Sequence, residues 1–299
     1  MSTSKPPRKP CARPCASPRT MSQWWFRSGR FIASHAFLIA IASTMLLPFL
    51  WMVFASFKPL NEIQQFNLNP LPVKWQPSNY TDVLNNKDIS FKRYYFNSVF
   101  IAAWVTLLTC FTSSLAAFAF ARLRWPGRDH VFKLYLATMM IPGVVTMIPN
   151  YTLMVKMHLL DSYTGLIVPA AFSAFGTFLL RQFMLTIPSS LDEAATIDGA
   201  SSWRLYWDVI LPLARPGLIV LSIFTFMGNY GSFFWPLVLI KSEHLRTLPI
   251  GMLYFDTMYG RQTNLIMAAS VMNILPLVIL FVAMQKYLVQ GIQLGAVKG

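Results

Sequence analysis

Six stretches of this sequence are apolar enough, and long enough, to cross the hydrocarbon layer of a membrane, which takes roughly 20 residues as a helix. They cover residues 31–57, 94–123, 131–156, 163–184, 217–240 and 265–287. Composition agrees: 55% of the 299 residues are hydrophobic and 12% are charged, where a soluble domain carries roughly 25%. Such a chain has too little polar surface to cover itself in water. The expected fold class is an all-α membrane protein with six transmembrane helices.

Residues 1–30 are rich in Ser, Pro and Arg and hold no acidic residue, the composition of a disordered tail. Residues 31–299 are then the membrane domain. The apolar run at 31–57 is too long for a cleaved signal peptide and no small-residue cleavage pattern closes it, so it reads as a retained first span. Cys11 and Cys15 in the tail and Cys110 in an apolar run make no even-numbered framework, so neither a structural disulfide nor a metal is expected.

Lys and Arg placement sets the orientation. The tail, the link at 122–133, the link at 181–215 and the C-terminus are basic and share one side if there are six spans. The stretches between the other ends mix bases with acids. Both termini are therefore expected in the cytoplasm, with an external loop at 58–93 and a cytoplasmic loop at 188–216. This bias accounts for most of the formal +14; it favours an anionic leaflet and leaves no need to invoke nucleic acid. Trp24, Trp25, Tyr94, Tyr95, Tyr254 and Tyr259 fall near span ends, where amphipathic rings settle at headgroup level.

The cytoplasmic loop reads as two short helices joined at a glycine. Ser190 and Glu193 have capping-box spacing. Leu191, Ala194, Ala195 and Ile197 give the first helix a small apolar face, and Gly199 supplies a left-handed turn. Ser201 or Ser202 caps the second helix, and Pro212 and Pro216 punctuate the approach to the fifth span. Such a hairpin suits docking into another protein's groove. It equally suits an amphipathic connector lying on lipid headgroups, and the residues alone do not separate the two.

A resemblance does. Glu193-Ala194-Ala195, Asp198-Gly199-Ala200, Ile210-Leu211-Pro212-Leu213 and Pro216 resemble the EAA loop of binding-protein-dependent ABC importer permeases, at the right spacing and between the fourth and fifth spans. The likeness continues through Asn97-Ser98, the run from Ala116 to Leu123, Met140-Ile141-Pro142, Leu179-Leu180-Arg181-Gln182-Phe183, Trp235-Pro236-Leu237, Arg246-Thr247-Leu248-Pro249 and the closing Gly295-Ala296-Val297-Lys298-Gly299. Together these are similar to carbohydrate-importer permeases of the smaller, maltose-type class, with the type I importer fold in the cell inner membrane.

The resemblance implies a coupling helix that sits in a cleft of a cytoplasmic ATPase, formed by Glu193, Ala194, Ala195, Asp198 and Gly199. It also implies a second, larger permease subunit, an extracytoplasmic solute-binding protein on the outer loops, and a sugar as substrate. This chain is then no enzyme. It has no GxxxxGK[ST] loop to cradle nucleotide, so no cofactor is expected on it, and ATP and Mg belong to the partner ATPase. ATP binding would close the ATPase pair, draw the docked loops together and rock the spans outward around a mid-membrane site.

Polar groups at membrane depth face a cavity or a neighbouring helix. Asn229, Tyr230, Gly231 and Ser232 in the fifth span and Asn273 in the sixth are the expected substrate path; packing between helices is the alternative for each of them. Relatives resembling this chain commonly carry an aromatic, an Asn and an acid where Tyr230, Gly231 and Ser232 stand. Pro142, Pro149, Pro169, Pro236 and Pro276 either kink their spans or are simply tolerated in lipid. Rival functions lack parts: there is no HExxH or GxSxG for a membrane enzyme, and no acid within the six spans for a proton-coupled carrier.

Overall fold

A computed structural model describes residues 21–65, 69–86, 89–258 and 262–296. The tail up to Thr20 with its two cysteines, Tyr259, Arg261 and the terminal Val297-Lys298-Gly299 lie outside them. The chain divides into two units, Met1–Trp51 and Met52–Gly299. The first is the body of helix α1 (Met21–Ser56), which begins ahead of the hydropathy boundary at residue 31, so residues 21–30 are helical. Phe37, Leu38, Ile39 and Met45 on it are exposed.

In the second unit two short helices follow, α2 (Leu60–Gln64) and α3 (Ser78–Leu84), then the long α4 (Phe91–Ala121). Next come α5 (Arg128–Ala137), α6 (Gly143–Lys156), α7 (Tyr163–Ala170), α8 (Ala174–Thr186) and α9 (Ser190–Ile197). A second limb joins α10 (Ser202–Arg204), a π-helical turn (Leu205–Ile210) and α11 (Leu211–Leu213). The remainder is α12 (Arg215–Tyr230), α13 (Phe234–Leu239), α14 (Leu248–Met258) and α15 (Thr263–Ala296).

The all-helical expectation holds among the described residues, but only three of the six stretches are single helices apolar and long enough to span: Ala33–Ser56, Phe91–Ala121 and Thr263–Lys286. The others are broken. The third stretch bends by 97° between Arg128–Met140 and Gly143–Lys156. Pro142 has no N–H to return to the preceding turn, and it holds Ile141 extended at φ −78, ψ 117. The fourth bends by 41° between α7 and α8, where Ser173 caps the restart by accepting the amide of Gly176 at 2.9 Å. The fifth, expected over 217–240 with Pro236 either kinking it or tolerated, stops at Tyr230 and resumes as α13, in whose first turn Pro236 has no N–H to donate back to Ser232. The helix before it is itself the second half of a pair, bent by 74° from Ser202–Leu213. Pro149 and Pro276 sit inside continuous helices.

Helix α4 organises the packing. It lies along α8 and α12, and α12 lies along α15. Its residues enter all three cores: Phe91, Tyr94 and Ala102 pack with Tyr230 and Leu248; Ile101 and Val105 with Met154 and Leu239; Ala117 and Phe118 with Leu180, Tyr206 and Ile210. The buried face of α4 carries Ser98, Ala102, Thr109, Ser113, Ser114 and Ala117, small side chains that let backbones approach closely. At one crossing there is no room for a methyl group: a Cβ on Gly217 of α12 would stand 2.7 Å from the Phe183 ring of α8. Tyr94, expected near a span end, faces the protein interior. It is 1% exposed, and its hydroxyl donates to Glu243 at 3.1 Å.

The loop at 58–93 is held by a buried polar network. Asn79 donates its amide to the carbonyls of Ser56 (2.8 Å) and Lys58 (3.0 Å), and its Oδ1 accepts from Asn264 at 3.0 Å. Glu62 accepts the amide of Val73 at 3.1 Å. These buried amide bonds hold the loop together with Val83, Ile89 and Phe91, which are buried in the core around Tyr94 and Tyr230.

Candidate functional site

The 188–216 loop folds as two limbs about Gly199. Pro188 holds Ile187 extended at ψ 130 and ends α8. The expected capping box does not form: Ser189, in helical geometry, occupies the cap position and makes no side-chain cap, and Ser190 is already inside the first turn. Gly199 has φ +75, the left-handed conformation expected of it. Ser201 then caps the second limb, its hydroxyl accepting the amide of Arg204 at 3.3 Å. Pro212 offers no N–H to the Asp208 carbonyl, and the turn before it widens into the π-helix.

Glu193, Ala194, Asp198 and Gly199 are exposed and Ala195 is half-buried. No residue of α9 is buried. Ile197 is 86% and Trp203 58% exposed, with Leu191 and Trp207 beside them on the surface. Four of the five coupling candidates are thus exposed, on a loop that also exposes large apolar side chains.

What holds this loop was not singled out from sequence. Arg122 caps the end of α4 with its guanidinium buried, its side chain 6% exposed. It donates to Asp192 Oδ2 at 2.9 Å and to the carbonyls of Met184 (2.6 Å) and Ile187 (2.7 Å). The second limb is tied to the same helix through Tyr206, whose hydroxyl meets Ser114 at 2.7 Å and whose ring lies 5.3 Å from that of Phe118. Charge-assisted bonds of the Arg122 kind are worth about 1.5–3 kcal/mol each. Removing one partner from a buried pair costs more, about 3–5 kcal/mol, because the other charge is stranded.

A cavity of about 410 Å³ lies between α4, α6, α7, α12 and α13. Ser98, Asn150, Asn229, Ser232 and Thr247 supply its polar lining, with Trp235 and Phe172 among the apolar walls. Among the described residues, no Asp, Glu, Lys, Arg or His lines it. Thr247 Oγ1 is itself buried, without a hydrogen-bond partner. Of the expected path residues, Asn229 and Ser232 line this cavity and Tyr230, Gly231 and Asn273 do not. Tyr230 is buried, and its hydroxyl donates to the Asn273 carbonyl at 3.0 Å, so that pair joins α12 to α15. Thr247 and Ser98 stood in matched motifs, but nothing in their spacing marked them as cavity-lining.

At the other end of α4 from Arg122, Asn97 donates to the carbonyls of His244 (3.0 Å) and Arg246 (2.8 Å) and accepts from Tyr163 at 2.7 Å. Ser98 accepts the amide of Leu248 at 2.7 Å. Nearby, Asp161, at φ +53, accepts the amides of Lys241 (2.9 Å) and Ser242 (2.8 Å) and the Ser242 hydroxyl. These bonds, the Ser242 hydroxyl foremost, hold its carboxyl below the usual carboxylate range.

Comparison with known proteins gives the family. Residues 111–294 match the family described as binding-protein-dependent transport system inner membrane component. The arabinooligosaccharides transport system permease protein AraQ of Bacillus subtilis (strain 168) is 34% identical over 270 residues, 90% of this chain and 96% of that one. The sn-glycerol-3-phosphate transport system permease protein UgpE of Yersinia enterocolitica is 33% identical over 276 residues, 89% of this chain and 97% of that one. In fold, a chain of a bacterial ABC transporter involved in the import of the acidic polysaccharide alginate superposes with a TM-score of 0.78 at 24% identity, over 91% of this chain and 99% of that one. A helical chain with membrane-spanning segments, an exposed loop anchored to its central helix and matches of this extent belongs to the binding-protein-dependent transport system inner membrane components, the permeases of ABC importers.

Proposed function

We propose that this chain is one of two permease subunits of an importer that carries an uncharged saccharide across the cell inner membrane. Each bent helix pair counts as one span, giving six, with both termini in the cytoplasm as the Lys and Arg bias requires. The observation that carries the reading is the 188–216 loop. Its first helix buries nothing, while Ile197, Trp203 and Trp207 stand exposed beside Glu193, Ala194, Ala195, Asp198 and Gly199. That is a surface made to be covered, and a cytoplasmic ATPase covers it. ATP and Mg act on that partner, whose closure draws the loop and rocks the spans; such a switch needs different nucleotide affinities in the two states.

The substrate assignment rests on the cavity. Relatives bear names for neutral and for anionic solutes. Here the lining offers amides, hydroxyls and an indole with no charged side chain among the described residues, and an anion there would be desolvated without a partner. Asn229 and Ser232, with Ser98, Asn150 and Thr247, bond sugar hydroxyls in this reading. Tyr230, Gly231 and Asn273 shape the path from behind. A solute-binding protein delivers the sugar at the 58–93 loop and the turn near 241–247, and a larger permease closes the path.

Purification from native membranes in mild detergent, with mass spectrometry of the bound chains, tests the assembly. An ATPase carrying a GxxxxGK[ST] loop and a second permease are expected; recovery of this chain alone overturns the proposal. Uptake into vesicles of the recovered complex tests the substrate. Neutral oligosaccharides are expected to compete and uronic-acid oligomers are not, and transport of uronates alone would remove the uncharged assignment.

A further inference from the structure

Helix α9 buries none of its residues, so apolar packing does not fix its position. Buried polar bonds do. Arg122 reaches from the end of α4 to Asp192 in the first turn of α9 and to the carbonyls of Met184 and Ile187, which lead into it. One guanidinium therefore holds both the approach to α9 and α9 itself, in a pocket where its side chain is 6% exposed. The planar fork of donors suits this arrangement; a lysine ammonium is a point charge and cannot serve three separated acceptors in the same way.

The opposite end of α4 is tied as firmly. Asn97 and Ser98 hold the backbone at His244, Arg246 and Leu248, and Ser98 lines the cavity. Both anchors sit on one unbroken helix, the 31-residue α4, with no break between them. Broken elements such as the 97° pair absorb displacement at their bends, whereas a continuous helix carries it. We propose that Arg122 is a positioning residue for coupling: it fixes α9 to α4, so that movement of the docked loop passes along α4 to the cavity and to the 244–248 turn. This rests on the reading of α9 as the ATPase-docking element.

The test uses the complete importer reconstituted in vesicles with its ATPase, second permease and binding protein, and measures solute moved per ATP hydrolysed. A merely structural defect reduces the amount of assembled importer and lowers both quantities together, leaving the ratio alone. In Arg122→Ala the ATPase is expected to copurify at wild-type stoichiometry while the ratio falls about tenfold, within the range of single-residue effects on coupling. Arg122→Lys, which keeps a charge for Asp192 and loses the two carbonyls, is expected to fall about threefold. Should Arg122→Ala not assemble, Arg122→Lys and Asp192→Asn decide the matter by the same ratio. An unchanged ratio in assembled variants overturns the proposal. Failure of the docking reading shows separately: Gly199→Asp would then keep the ATPase bound and transport at the wild-type rate, whatever the Arg122 variants do.

Discussion

Asp161 takes a left-handed backbone conformation that few residues other than glycine tolerate, and it joins the turn after α13 to the approach to α7. Its depressed carboxyl pKa fixes the sign of a pH effect. A carboxyl with a folded-state pKa below its unfolded value contributes stability above the unfolded value, and that contribution is lost as pH falls through the folded one. Thermal unfolding in detergent should therefore show a decline below about pH 4 that is shallower in Asp161→Asn; identical acid limbs would refute the role. Gly199 makes the opposite kind of test. Nothing lies within 4 Å of an added Cβ there, so an aspartate meets only the left-handed penalty, about 1 kcal/mol. Gly199→Asp should insert and fold normally yet lose transport, because it places an anion on the docking surface. Fractionation and an uptake assay on the same cells decide this.

The long continuous helices were legible in the sequence because uninterrupted apolar runs have one solution in lipid. The breaks were legible only as prolines that either kink a span or are tolerated in it, since hydropathy is blind to backbone hydrogen bonds. The fifth stretch reads as one span, whereas α12 stops at Tyr230 and α13 restarts at Phe234 with Pro236, which lacks an N–H, in its first turn. The loop was legible as two limbs about Gly199 but not in its fastening. Arg122 registered as one more positive charge near a span end, and its burial against Asp192 depends on α4 and α9 meeting in space. Likewise Asn229 and Ser232 were found by polarity, while the equally polar Tyr230 spends its hydroxyl on the backbone carbonyl of Asn273. Packing between elements has its own prediction. Gly217→Ala drives a methyl into Phe183 and should lower stability by about 1–3 kcal/mol, offset in part by the helix preference of alanine. A lower midpoint in detergent melts of Gly217→Ala, relieved by Phe183→Leu, is expected; an unchanged midpoint would mean that α8 and α12 separate freely at this crossing.

At the scale of the whole chain the arrangement of charge predicts sidedness. Single cysteines placed in a background lacking Cys11, Cys15 and Cys110 report it directly. A cysteine at Lys74 should react with an impermeant maleimide from outside intact cells, and one at Trp203 only after permeabilisation; the reverse pattern would invert the topology. A last consequence concerns α4 alone. Asn97 and Arg122 stand about 25 residues apart on it, close to seven turns, so the two anchors point along nearly the same line. One inserted residue would swing them out of phase by about 100° and lengthen the helix by only about 1.5 Å. The helix thus behaves as a keyed shaft: its tolerance is for rotation by whole turns, and a single added alanine near its middle is a harsher change than the loss of a large side chain from its lipid-facing side.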